Sequence, residues 1–161
     1  MINFIKIFLP ALFLQVTLCA RDININKFLD NANKTNKHLL VWLHKNGCGY
    51  CDNMQEFTLN EDDIKSLIEK EFIYIHMNIS EKDKVTYKDF VGSAREFANH
   101  LGFDFYPTSL FFSSNGELIY DAMGFHDEVL FLKILKFIHS RSYEKMDYDS
   151  YENEYEYNND D

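Results

Sequence analysis

The stretch Leu39–His44 (LLVWLH) is apolar and rich in strand formers, and it is followed at once by Asn46-Gly47 and then by Cys48-Gly49-Tyr50-Cys51. A short apolar run bounded by an Asn-Gly signal reads as a buried strand feeding a turn. Beyond Cys51, the residues Met54, Phe57 and Leu59, then Ile64, Leu67 and Ile68, recur at helical intervals, with a break at Asn60 or Glu61. The C-x-x-C pair therefore sits between a strand and the first turn of a helix. At that place unpaired backbone N–H groups and the positive end of the helix dipole favour a thiolate on Cys48. Cysteines so placed titrate at roughly 3.5 to 7.5 instead of about 8.5. Cys51, one turn further in, has the spacing to close a ring with Cys48 and suits the resolving role.

Working outward, Phe72–Asn78 (FIYIHMN) is continuous, β-branched and aromatic, as expected of a strand covered on both faces and parallel to the first. Two such strands joined by helices imply a right-handed βαβ unit. Glu81–Val91 is polar and reads as a surface excursion, and Ser93–Leu101 as a short helix ended by Gly102. Thr108–Phe112 and Glu117–Ala122 flank Ser113-Ser114-Asn115-Gly116, the pattern of a hairpin and hence of an antiparallel edge. Asp127–Ser140 carries Leu130, Phe131, Ile134, Leu135 and Ile138 on one helical face, with Asp127 as N-cap, and Ile23–Lys37 suggests an amphipathic first helix. The fold class is α/β, with a central mixed sheet of about four strands flanked by helices.

A chain of 161 residues with 46% hydrophobic content is long enough for one domain with its own core. Its formal net charge of −10 repels a phosphate backbone, so nucleic acid is not an expected partner. Met1–Ala20 has one early cation (Lys6), an apolar run over Ile7–Leu14 and a small-residue ending at Thr17, Cys19 and Ala20, the layout of a secretory signal peptide over residues 1–20. A retained N-terminal membrane anchor is the alternative. Export places residues 21–142 in an oxidising compartment, where a cysteine pair cycles between dithiol and disulfide. From Tyr143 to Asp161 the chain holds eight acidic residues against one Lys, with five tyrosines and Met146 as the sole aliphatic residue. That composition predicts an acidic, disordered C-terminal tail over 143–161. An acidic arm docking a basic partner is the functional alternative.

Other uses of the cysteine pair are weaker. Structural zinc normally needs four ligands and no second C-x-x-C is present, so no metal is expected. Haem attachment needs a histidine where Asp52 stands. A structural disulfide across so short a loop removes little entropy from the unfolded chain. Redox exchange without a bound cofactor is the expectation.

Over Leu39–Ser140 the chain resembles the thioredoxin superfamily, on its strand, Cys48-Gly49-Tyr50-Cys51, helix, strand, then Tyr106-Pro107-Thr108, hairpin, Gly124 and a last helix. Within it the chain is most similar to exported SoxW-type thioredoxins, through the polar insert with Val85-Thr86-Tyr87 and the phenylalanine-rich strand before the Asn115-Gly116 turn. The resemblance implies a thioredoxin-like fold, Cys48 as attacking thiolate, Cys51 as resolving thiol, and Pro107 as a cis-proline beside them. Gly49, Tyr50, Tyr106, Pro107 and Thr108 would dock substrate, the Tyr106 backbone pairing with an extended peptide.

Two departures stand out. The position of the family's usual buried acid, six before the first cysteine, is Trp42, and the lysine partner's position is His76, a candidate for proton transfer to Cys51. Gly47 replaces the tryptophan that commonly precedes the first cysteine. The expected function is an exported thiol:disulfide oxidoreductase of the bacterial periplasm, monomeric and leaning to reductase. Its partners would be disulfide-bearing or dithiol envelope proteins and a membrane thiol electron donor. Alternatives are an oxidase or isomerase of the same fold, or a non-catalytic binding or chaperone-like module.

Overall fold

The computed structural model describes residues 20–159, so the expected leader lies outside the described residues except for Ala20. In chain order the elements are β1 (Asp22–Asn24), α1 (Ile25–Thr35), β2 (His38–His44), α2 (Gly49–Phe57), α3 (Asp62–Glu71), β3 (Phe72–Asn78), β4 (Lys84–Tyr87) and β5 (Phe90–Ser93). They continue with α4 (Ala94–His100), β6 (Thr108–Phe112), β7 (Leu118–Met123), α5 (Glu128–His139) and α6 (Tyr148–Asn159). A four-stranded sheet has the order β3-β2-β6-β7 and a smaller sheet the order β1-β4-β5. Strand β2 is parallel to β3 and antiparallel to β6, so the larger sheet is mixed.

Local chemistry explains the element boundaries. The Asn24 side chain caps α1 by accepting from the Lys27 amide, and Asn36 ends that helix in the left-handed region at φ 54°. Ser93 and Glu96 form a reciprocal capping box at α4, and Asp127 Oδ1 accepts from the Leu130 amide at 2.9 Å at the start of α5. In the hairpin turn, Gly116 has φ 78°, and a Cβ there would lie 2.8 Å from Leu29 Cδ1. A side chain there is strained by the backbone conformation and would also have to displace the Leu29 tip.

Strand β2 is buried along its length except at His44, and Leu40, Trp42, Phe111, Phe112 and Phe131 form the middle of the core. Three expectations differ from the structure. Strand β3 is an edge strand with Tyr74 and His76 exposed, so it is covered on one face and not on both. The excursion over Glu81–Val91 instead contains β4 and part of β5, a tight hairpin turning through Lys88 (φ 52°) and burying Val85 and Tyr87.

The tail expected to be disordered forms a 3-10 turn at Ser142–Glu144 and then α6. Its tyrosines supply the contact area that the missing aliphatics do not. The Phe137 ring meets Tyr151 at 5.1 Å and Tyr148 at 5.5 Å between centroids. Part of the acidity is also paired, because Lys133 Nζ, on a largely buried side chain, donates to Glu156 at 2.7 Å and Glu152 at 3.1 Å, which raises its pKa.

A chain ending at Ser142 uncovers Phe137 and is expected to lose about 2–3 kcal/mol of unfolding free energy in urea. An unchanged midpoint would show that α6 does not brace the domain.

Candidate active site

Strand β2 ends at His44, the exposed loop Lys45–Gly47 follows, and Cys48 is the N-cap of α2. Gly47 takes the left-handed conformation at φ 66°, which glycine adopts at no steric cost and which turns the chain into the helix. Cys48 and Cys51 form a disulfide. The Cys51 backbone N–H donates to Cys48 Sγ at 3.2 Å, so one of the unpaired donors of the first turn is aimed at the sulfur. Cys48 keeps 7% of its surface exposed and Cys51 2%, so an incoming group meets Cys48 first.

A second segment lies across this sulfur. The Tyr106–Pro107 peptide bond is cis, and the Tyr106 carbonyl oxygen is 3.8 Å from Cys48 Sγ, a contact without a hydrogen while the disulfide is closed. The Pro107 carbonyl is occupied, accepting from the Gly124 N–H at 2.8 Å. Tyr106 is itself buried, with Lys45 Nζ 5.8 Å from its ring centre.

Of the residues singled out by sequence, Cys48, Cys51 and Tyr106 come together directly. Gly49 and Tyr50 lie exposed on the first turn of α2, Tyr50 with 67% of its surface open. Pro107 and Thr108 are buried, and the Thr108 hydroxyl turns inward to donate to the Phe105 carbonyl at 2.7 Å. Thr108 also lies between two paired strands, opposite Leu43 on β2 and Met123 on β7, so it is held within the sheet.

Trp42 and His76 are register partners, but His76 is hydrogen-bonded to a residue that sequence reasoning missed: His44 Nε2 and His76 Nδ1 are 3.1 Å apart. His44 also stacks on Trp42 at 4.5 Å. The missed signal was simple, since His44 lies two residues from Trp42 and so on the same strand face. Burial pushes the His44 ring down to about 4, with His76 acting in the same direction and Asp52 opposing it.

The loop that delivers Cys48 is clamped by polar residues of the β3 end. Asn78 Nδ2 donates to Asn46 Oδ1 at 2.7 Å, the Asn46 N–H donates to Ser80 Oγ at 3.2 Å, and the Ile79 N–H donates to the His44 carbonyl at 2.8 Å. Among the described residues no group of three or more His, Cys, Asp or Glu is placed to hold a metal ion.

Residues 25–139 match the Thioredoxin-like domain family, and the chain belongs to that family. The fold is also that of a thioredoxin-fold protein from Helicobacter pylori (24% identity, 73% of this chain and 83% of that one, TM-score 0.62). A thioredoxin from Thermus thermophilus is similar at 22% identity over 74% of this chain and 86% of that one, with a TM-score of 0.56. A disulphide isomerase from Xylella fastidiosa Temecula1 shares 18% identity over 71% of this chain and 87% of its own, at a TM-score of 0.55. No curated protein sequence matches the chain. The chain thus combines a thioredoxin-like fold with a Cys48–Cys51 disulfide.

The depressed His44 value has a stability consequence with a definite sign. Below its unfolded pKa of about 6.5 the unfolded chain takes up a proton that the folded ring refuses, so stability falls as pH drops from there toward 4. Between pH 7 and 4.5 the loss from His44 should be about 1 kcal/mol, given its partial exposure. His44→Phe should flatten the urea-midpoint profile by that amount, and an unaltered profile would remove His44 from the acid sensitivity.

Proposed function

We propose that the chain is an exported thiol:disulfide oxidoreductase of the SoxW type that works in the reducing direction on envelope proteins as a monomer. The observation that carries this reading is the Cys48–Cys51 disulfide at the N-terminus of α2, with the Tyr106 carbonyl beside Cys48.

In the reduced protein the Cys48 thiolate attacks one sulfur of a substrate disulfide. The substrate S–S bond breaks, and the departing thiolate takes a proton. Cys51, deprotonated, attacks Cys48 Sγ, releasing the second substrate thiolate and closing the Cys48–Cys51 disulfide. The substrate gains two electrons and two protons, and a membrane thiol donor returns them to the pair. His76 is the proton acceptor for Cys51 in this scheme. Its Nδ1 lies 3.1 Å from His44 Nε2, so the ring is held on the face it shares with Trp42. The exposed Tyr50 ring and the Tyr106 segment offer the docking edge for an extended peptide.

Insulin reduction tests the reading. Cys48→Ser should abolish turnover, while Cys51→Ser should accumulate mixed disulfides visible on a non-reducing gel. Wild-type turnover by Cys48→Ser would overturn the proposal. Direction is set by the couple's potential against glutathione. A reductase is expected below about −230 mV, and a value near −120 mV would make the protein an oxidase.

A further inference from the structure

Arg21 is tied to a buried carboxylate by three of its nitrogens. Its backbone N–H donates to Asp83 Oδ1 at 2.9 Å, its Nε to Asp83 Oδ2 at 2.9 Å, and its Nη2 to Asp83 Oδ2 at 2.6 Å. The same Nη2 donates to Glu81 Oε2 at 3.0 Å. Asp83 keeps only 2% of its surface, and its carboxyl is held below the usual range by these bonds despite burial. Ala20, one residue upstream, is exposed. Immediately downstream the Lys84 N–H donates to the Arg21 carbonyl, and the Asp22–Lys84 pairing of β1 with β4 begins.

Charge is unbalanced in this cluster as long as residue 21 carries an ordinary peptide nitrogen. One guanidinium faces two carboxylates, and one of those carboxylates is buried. The guanidinium already neutralises the buried Asp83, while Glu81 is half exposed; a second cation at hydrogen-bond distance from Asp83 strengthens the pairing and leaves the guanidinium free to serve Glu81. Lys82 lines the same cleft with Ala20, Arg21 and Asn46, but among the described residues it forms no ion pair with either carboxylate. The atom already aimed at Asp83 is the Arg21 backbone nitrogen, and it becomes that cation if it is the first atom of the chain.

We propose that the Ala20–Arg21 peptide bond is the maturation site, and that the α-ammonium it releases is captured by Asp83. An export peptidase hydrolyses the bond with one water, leaving a carboxylate on Ala20 and an ammonium on Arg21. Ala20 supplies the small residue such enzymes take immediately before the cut, while Leu18 stands where the second small residue of that pattern would be. The captured terminus then fixes the start of β1. Through Glu81 it also adjoins Asn78, whose side chain holds Asn46 two residues before Cys48. Maturation in this way braces the loop that carries the nucleophile.

The cut rests on the export reading above, whereas the capture by Asp83 does not, and two measurements keep them apart. For the cut, the full chain expressed in a Gram-negative host is recovered and its N-terminus sequenced; Arg-Asp-Ile-Asn is expected, and any other start overturns the maturation site. For the capture, chains beginning at Arg21 and at Ala20 are released from a cleavable fusion and melted at low ionic strength. The Arg21 chain should melt about 2–6 °C higher, and the difference should vanish in the Asp83→Asn background. Equal melting of the two wild-type chains, or a difference that survives Asp83→Asn, overturns the capture.

Discussion

The site depends on one local electrostatic fact, a sulfur placed at the N-cap of a helix with a backbone donor turned towards it. Cys48 is extended in backbone conformation while Gly49 begins the helix, so the Cys51 amide has no carbonyl one turn earlier and is directed at Cys48 Sγ. An anion at that position is stabilised by the donor and by the helix dipole together. Nothing in this arrangement needs a bound ion or a distant acid. It needs only that the loop before Cys48 be held, and that an acceptor-lined segment stand opposite it.

Both conditions are met by long-range packing. Asn78 and Ser80, at the end of an edge strand, hold Asn46 in place, so the position of the nucleophile is set by side chains from a different element. The Tyr106–Pro107 segment arrives from the far side through β6, which is fixed to β2 by its antiparallel register from Thr108 to Phe112. The four-stranded sheet is thus the frame that brings the two cysteines and the Tyr106 carbonyl to one end. Around them the pattern departs from a buried acid: Trp42 occupies that position, and a hydrogen-bonded imidazole pair lies beside it.

Legibility in the sequence followed the range of the interaction responsible. Elements defined by neighbours in the chain were readable: the Ser113–Gly116 turn, the Asp127 cap, the short helix ended by Gly102 and the strand–cysteine–helix junction. Elements defined by distant pairing were not. Strand β1 has three residues and exists only because Asp22–Asn24 pairs with Lys84–Thr86. The β4–β5 hairpin turns through a left-handed Lys88 and not through glycine or asparagine, so its turn carries no compositional mark. The tail's helix is invisible to a rule based on net charge, because its stability comes from tyrosines on Phe137 and carboxylates on Lys133. The His44–His76 contact has the same origin, a juxtaposition of two strands that no single segment encodes.

Direct titration of the Cys48 thiol in the reduced protein, followed by thiolate absorbance or by the rate of alkylation with Cys51→Ser as background, tests the account at its centre. A midpoint well below the value of about 8.5 for an ordinary cysteine is the result expected of a sulfur held at a helix N-terminus. A midpoint at or above about 8.5 would contradict it, leaving the disulfide as a structural clasp.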